Sequence, residues 1–281
     1  MRLGINEYPL TQVLGFESAL ETIRSIGFTH IDFAFYERNA LFEGEDYRDV
    51  AQAMRQRCDA QGLKVHQMHA NWFKNDDPEA EKAYKIAQNE RAFEVAEILG
   101  CPYLVFHATK FRGYYRSPLV QARANAYNLE LFNHYLHFAK RTQVKLAIEN
   151  MFGYITNTTQ PADTIFAGAG QMNEYMDRLG AHCVACLDTG HAYIAQQDLP
   201  DMVHALGDRL RVLHVHDAIM TEDAHLVPGL GLIEWPAFFN ALRAINFDGV
   251  VSLEILPQNS VGVVEYARYA YRVIEAYTEQ F

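Results

Sequence analysis

Short runs of apolar and β-branched residues alternate along this chain with longer stretches that repeat at the 3.6-residue spacing of an amphipathic helix. The runs Arg2–Asn6, Thr29–Ala34, Lys64–His69, Tyr103–His107, Lys145–Glu149, Val184–Asp188, Arg211–His216 and Val250–Glu254 read as strands. Between and after them, helical spacing marks Phe16–Ile26, Tyr47–Gln61, Glu79–Leu99, Leu119–Arg141, Pro236–Ile245 and Val263–Tyr277. Gly27, Gly62, Gly100 and Gly180 stand just before the next strand, where a helix C-terminus is commonly closed. The segment after the sixth run is split around Pro200 and reads as two short helical pieces. Eight strand–helix units in succession predict an α/β fold, a single (β/α)8 TIM barrel. A doubly wound open sheet would want a glycine-rich first turn, and Asn6-Glu7-Tyr8-Pro9 supplies none.

Length and composition sharpen that picture. Eight such units fill the 281 residues, and no linker, charge block or low-complexity tract divides them, so residues 1–281 read as one domain. Lys and Arg total 24 against 35 Asp and Glu, a formal charge of −11, which removes any general electrostatic attraction to nucleic acid or to an anionic membrane. No apolar run approaches the roughly 20 residues needed to cross a bilayer, and the first residues lack the pattern of a signal peptide. Cys58, Cys101, Cys183 and Cys186 are too few and scattered for a disulfide framework and are expected to be buried thiols of a reduced, cytoplasmic protein.

The candidate chemistry lies where the strands end, the face on which barrels of this kind build their sites. His69, His107, Glu149, Asp188, His214 and Glu254 end or close six consecutive runs, and His191 follows three residues after Asp188. A charged group at the end of an apolar run must be paired or bound to a cation. Glu149, Asp188, His214 and Glu254 form an oxygen-rich donor set suited to Mn, Co or Mg, and the added imidazoles of His69, His107, His191 and His225 shift the preference toward Zn. His214 and His216 point the same way, so either could reach the barrel axis, and Asp223 with His225 form a candidate second metal pair. Gly229-x-Gly231 is a weak phosphate signature, because no helix follows it immediately. His30, His134, His137, His182 and His204 read as surface or packing residues, and Trp235 as packing at the start of its helix.

Leu146-Ala147-Ile148-Glu149-Asn150, Leu187-Asp188-Thr189-Gly190-His191, Leu213-His214-Val215-His216-Asp217, Pro228-Gly229-x-Gly231-x-Ile233-x-Trp235 and Ser252-Leu253-Glu254, taken in order, resemble the xylose isomerase-like TIM-barrel superfamily. The resemblance covers essentially the whole chain. It implies a sugar or sugar phosphate isomerase or epimerase that moves a proton alpha to a carbonyl through an enediolate. By this resemblance one divalent cation per chain is held by Glu149, Asp188, His214 and Glu254. Glu149 and Glu254 are then the acid/base pair, and His191 bonds substrate oxygens. A homodimer or homotetramer follows from the same resemblance. The epimerase pattern has Arg six residues after the metal-binding His, where this chain has Met220, a departure that weighs against a free ketohexose.

Two other branches of the superfamily compete. Apurinic-site endonucleases of the endonuclease IV type hold three zinc ions, and their ligands find counterparts at His69, His107, Glu149, Asp188, His191, His214, Asp223, His225 and Glu254. Their Asp-Arg-His motif reads Asp223-Ala224-His225 here, which removes a cation that would meet DNA phosphate, and the charge of −11 weighs the same way. A metal-dependent lyase such as an inosose dehydratase is the other alternative. For the substrate, Trp72 beside Asn71 and Phe73 is a candidate apolar wall for a sugar face. Lys110, Arg112 and Arg116 are candidate receivers of a phosphate or carboxylate.

Overall fold

Each of the eight runs forms a strand, and each strand pairs in parallel with its neighbour in the chain. A computed structural model describes residues 1–220, 222–257 and 262–279. The strands are β1 (Arg2–Asn6), β2 (His30–Ala34), β3 (Lys64–His69), β4 (Tyr103–Phe106), β5 (Lys145–Glu149), β6 (Cys183–Asp188), β7 (Leu210–His214) and β8 (Val250–Leu253). They form one sheet in the order β8-β1-β2-β3-β4-β5-β6-β7. The seam between its two edges closes just past β7, where Val215 N donates to Ser252 O at 2.8 Å and Glu254 N donates to Val215 O at 3.1 Å. The result is the expected single (β/α)8 barrel.

Alternation along each strand sorts the core into two shells. Ile5, Ile31, Leu104, Leu146, Ile148, Leu187, Leu213 and Leu253 face outward and pack under the helices in one large apolar cluster. Val105, Ala147, Val184, Cys186 and Val212 form a separate small cluster inside the barrel. That inner cluster is small because the next inward positions toward the strand ends are polar. All four cysteines are buried and unbridged. Among the described residues, no helix is long and apolar enough to cross a membrane.

The helices follow the periodicity closely, with Phe16–Ile26 and Glu79–Leu99 at the expected bounds. Two further helices lie outside the segments whose spacing reads as helical. Tyr8–Leu14 has only seven residues and buries Leu10 alone, too few for a period to show. Ala169–Leu179 buries Ala169, Met172, Tyr175, Met176 and Leu179, but Gly168 and Gly170 blur its start. The split near Pro200 is real: Thr189–Ile194 ends before Leu199–Leu206, which begins with Pro200 in its first turn and Asp198 accepting from Asp201 N. Two antiparallel ribbons rise past the strand ends, Gly153–Tyr154 with Pro161–Ala162 and Asp217–Ile219 with Glu222–Leu226.

One buried carboxylate organises the strap after β7. Asp217, fully buried, accepts from Ala218 N (3.0 Å), Gly229 N (2.8 Å), Ile233 N (3.1 Å) and Trp235 Nε1 (2.8 Å). At Gly231 a Cβ would collide with the Asp217 carboxylate and the Ala218 carbonyl. The Gly-x-Gly segment is therefore a strap wrapped on a side chain of its own chain, and Trp235 is held by a hydrogen bond as well as by Phe238 and Phe239. Asp217→Ala would leave these donors without their acceptor, and unfolding in urea is expected to show a loss of at least about 3 kcal/mol.

Candidate metal and catalytic site

The inward positions nearest the strand ends place acid and imidazole groups in one layer. Residues 147 and 149 of β5, 186 and 188 of β6, and 212 and 214 of β7 share the inner face, so each strand passes from a small apolar residue to Glu149, Asp188 or His214. His69 ends β3, while His107 and Glu254 sit one residue past β4 and β8. Glu149, Asp188, His69, His191, His214 and His216 are buried, and Glu254 is only partly exposed.

The ligand atoms of Glu149, Asp188, His214 and Glu254 all lie within 4.8 Å of one another. His214 Nδ1 is 3.0 Å from Glu149 Oε1 and 3.3 Å from Glu254 Oε2. On the other side of Glu149, Oε2 faces His107 Nε2 at 3.1 Å and His69 Nε2 at 3.4 Å, and those two nitrogens are 3.1 Å apart. A third group gathers at the ribbon after β7. Asp223 Oδ2 lies 3.6 Å from His191 Nε2 and 3.5 Å from His225 Nε2, and His216, stacked on His225 at 4.1 Å, reaches Asp188 Oδ2 at 3.0 Å.

Backbone carbonyls set which imidazole nitrogen faces the centre. A carbonyl only accepts, so the Nδ1 atoms of His69, His191 and His225 donate to Ala70 O (2.8 Å), Asn150 O (2.9 Å) and Glu254 O (2.9 Å). Each ring then presents Nε2 inward, the arrangement of a metal-binding histidine. His214 is turned the other way, with Nε2 3.1 Å from Asp32 Oδ2. Asp32 is itself held by Gln67 Nε2 at 3.1 Å, which also donates to Leu213 O. Asn150 ties β5 to β6 by accepting from Asp188 N at 2.6 Å and donating to Asp188 O at 3.0 Å.

Burial disfavours every charge here, yet neighbouring opposite charges prevail at most positions. Burial pushes the Glu149 carboxyl up, but His214 and His107 hold it well below the usual carboxylate range. Burial likewise opposes His191 and His225, but Asp188 and Asp223 raise the first to about 9, and Asp223 and Glu254 the second to about 10. His69 and His214 are also raised against the pull of burial, by Glu149 in the first case and by Cys186, Glu254 and Glu149 in the second. At His107 burial prevails and the imidazole is lowered. Glu149 Oε2 and Asp223 Oδ1 are buried without a hydrogen bond of good geometry. Orphaned carboxylate oxygens among inward-facing Nε2 atoms fit a divalent cation.

The candidate substrate residues divide. Trp72, 46% exposed, stacks 6.3 Å from His107 at the rim of a cavity of about 280 Å³ that Phe73, Lys110, Phe152 and His191 also line. Lys110 and Lys74 continue into a neighbouring cavity of about 250 Å³, where Arg112 lies. Lys110 Nζ sits 4.4 Å from the Phe152 ring, and burial draws its ammonium down to about 8. Arg116 stacks on Tyr115 and lines neither cavity, because the turn Tyr114–Arg116 buries Tyr114, which bonds Gln171. Asp32 and Gln67 lie upstream of their strand ends and so fall outside the strand-end pattern in the sequence. Alternation holds the signal that marks them: Asp32 is an inward carboxylate in the middle of an apolar strand.

A family model described as "Xylose isomerase-like TIM barrel" matches residues 20–276. A D-psicose 3-epimerase of Enterocloster bolteae is 34% identical over 103 residues, which is 36% of this chain and 29% of that protein's length. An uncharacterised protein of Sinorhizobium fredii is 23% identical over 279 residues, covering 85% of this chain and 81% of its own. Among solved structures, a D-psicose 3-epimerase in the presence of D-fructose superposes with a TM-score of 0.78 at 20% identity, over 99% of both chains. The IOLI protein with a binding zinc atom superposes with a TM-score of 0.74 at 19% identity, over 100% of this chain and 97% of its own. At these identities the superpositions establish the fold.

Two outcomes follow from the geometry. Imidazoles raised by their carboxylate neighbours carry protons near neutral pH and must lose them to a cation, so metal affinity should climb with pH from 6 to 9. Calorimetry in buffers of differing ionisation enthalpy is expected to register on the order of one to two protons released per ion. Asp32→Asn removes the carboxylate that faces His214 Nε2, and metal affinity should fall about 10- to 100-fold.

Proposed function

This chain belongs to the xylose isomerase-like TIM-barrel family, and on that premise we propose that it is a divalent-metal-dependent isomerase or epimerase of a sugar or sugar derivative. The observation that carries this reading is the close group of Glu149, Asp188, His214 and Glu254 at the barrel mouth. Three carboxylates and one imidazole would hold Mn, Co, Mg or Zn there. When bound, such an ion draws charge from a substrate carbonyl and its neighbouring hydroxyl, acidifying the C–H between them. The protein groups then do the proton work. Glu254 and Glu149 flank His214 Nδ1 from separate strands, so one carboxylate can take the proton and the other return it, with an enediolate between the two steps. Asp32 and Gln67 keep the His214 ring in place throughout.

The substrate in this reading is a small carbohydrate rather than nucleic acid. Trp72, Phe73 and Phe152 would cover its apolar face, and His191 would bond its oxygens through Nε2. Lys110 and Arg112 lie where a phosphate or carboxylate substituent would be received. One observation favours a second reading, a trinuclear zinc phosphodiesterase. Beside the four-residue group, His69 and His107 converge on Glu149, and His191 and His225 on Asp223. The charge of −11 and Ala224 between Asp223 and His225 speak against a DNA substrate.

Metal analysis separates the two readings: about one ion per chain supports the isomerase and about three zinc ions the phosphodiesterase. For the isomerase, a ketose incubated in deuterated water should incorporate solvent deuterium at the carbon next to its carbonyl. Glu254→Gln is expected to slow that exchange at least about 1,000-fold while the thermal transition moves little. Exchange at the parent rate in the E254Q variant would remove this residue as the acid/base.

A further inference from the structure

The opposite mouth of the barrel, where the strands begin, holds a cavity of about 360 Å³ that the proposed reaction does not use. Leu63, Leu99 and Pro102 give it an apolar floor, while its charged lining is mostly basic: Arg2, Arg55 and Lys64. The one carboxylate that lines it, Asp59, is taken up by Arg55 Nε at 2.8 Å. The Arg55 guanidinium lies over Gly100 (φ 68°), where any side chain would collide with Nη1. On the rim, Arg2 Nη2 donates to the carbonyl of Asp248, while the Asp248 carboxylate pairs with Arg211 at 3.2 Å. Among the described residues, Arg2 has no carboxylate partner of its own. Three cations, one of them paired with Asp59, meet at one concavity of a chain whose formal charge is −11.

A histidine is turned into this place by an irregularity of the sheet. Ile31 pairs with Val65 and Asp32 with Gln67, so His66 is the extra residue of a β-bulge in β3. Bulges re-aim side chains at barrel rims. His66 packs edge-on against His30 and Tyr103, with ring centres 5.9 and 5.2 Å away, and lines the cavity. It is only 8% exposed, it has a backbone hydrogen bond at Arg211, and its Nε2 is buried with no partner. A buried polar atom left unpaired beside a basic cavity needs a compensating group. The field there is positive: burial, and then Arg2 and Lys64, bring His30 down to about 4, and burial, His30 and Arg2 do the same to His66 despite Asp32.

We infer that this cavity is an oxyanion site that takes a phosphate group, as inorganic phosphate or as the end of a small phosphate monoester. Arg2, Arg55 and Lys64 supply the charge-assisted hydrogen bonds, and the dianion supplies countercharge that favours a proton on the neighbouring His66 imidazole. The site lies one layer below the residues that orient His214. His30 shares the inner face of β2 with Asp32, and His66 precedes Gln67. It stands independently of the proposed isomerase activity, since it uses none of that site's groups.

The test follows the ring protons of His30 and His66 by NMR in the full chain, titrated with inorganic phosphate, with glycerol 2-phosphate, and with sodium chloride at matched ionic strength. A saturable rise of both imidazoles from about 4 toward the ordinary range is expected with the phosphates and not with chloride. The rim variant R2Q/R55Q/K64Q alters side chains at the surface and should weaken binding at least about tenfold, and His66→Gln should weaken it as well. Tighter binding of the ester assigns the site to a monoester, and equal binding assigns it to the inorganic ion; either result supports the proposal. Phosphate shifts no larger than those with chloride, or a rim variant that binds as tightly as the parent, would overturn it.

Discussion

Glu149 is a buried carboxylate within 3.5 Å of four imidazoles, those of His69, His107, His191 and His214, and the rest of the molecule is arranged around that fact. A charge removed from water is tolerated only where opposite charge and hydrogen bonds replace hydration. Glu149 anchors one acidic and imidazole layer that runs across the barrel from His69 to His225. The layer is stable as a set and costly in pieces, because removing one partner leaves another buried charge uncompensated.

Rigid surroundings make that layer usable. Strand alternation aims Glu149, Asp188 and His214 at the axis, while carbonyl groups lock the rings of His69, His191 and His225 with Nε2 inward. Asp32, held by Gln67, faces His214 Nε2 at 3.1 Å from the layer below, an ion-pair contact without hydrogen-bond geometry. The ribbon bearing Asp223 and His225 is less regular than a barrel strand, yet it is tied down at both ends. Asp217 gathers the strap that follows, and Leu256 N donates to His225 O at 3.0 Å. Ligand positions set by strand ends and second contacts, rather than by free loops, keep a donor set in place before any cation arrives.

The two mouths of the barrel carry opposite chemistry. At the strand ends, carboxylates gather and most imidazoles are raised in pKa; at the strand starts, arginine and lysine surround imidazoles that burial and positive neighbours lower. The same residue type thus takes opposite protonation behaviour about one barrel length apart, because its neighbours differ in sign. The residues Val105, Ala147, Val184, Cys186 and Val212 form the apolar plug between the two ends.

Much of this was legible in the chain itself. Period-two and period-3.6 patterns determine the elements and their order, and eight such units in succession allow little besides a closed barrel. Strand-end identity determines most of the acidic and imidazole layer, since an apolar run that stops at His69, Glu149 or Asp188 delivers a polar group to the barrel mouth, where it must be paired or bound. What sequence order cannot carry is contact between strands. Asp32 meets His214 from a strand far away in the chain, and Asp217 rather than any ligand is what the Gly-x-Gly strap encloses. Arg116 reads like Lys110 and Arg112, yet one short turn places it outside their cavities. Tertiary structure alone decided the facing of each ring nitrogen and the bulge that turns His66 inward. These depend on register and on which carbonyl lies within about 3 Å, distances set by strands far apart in sequence.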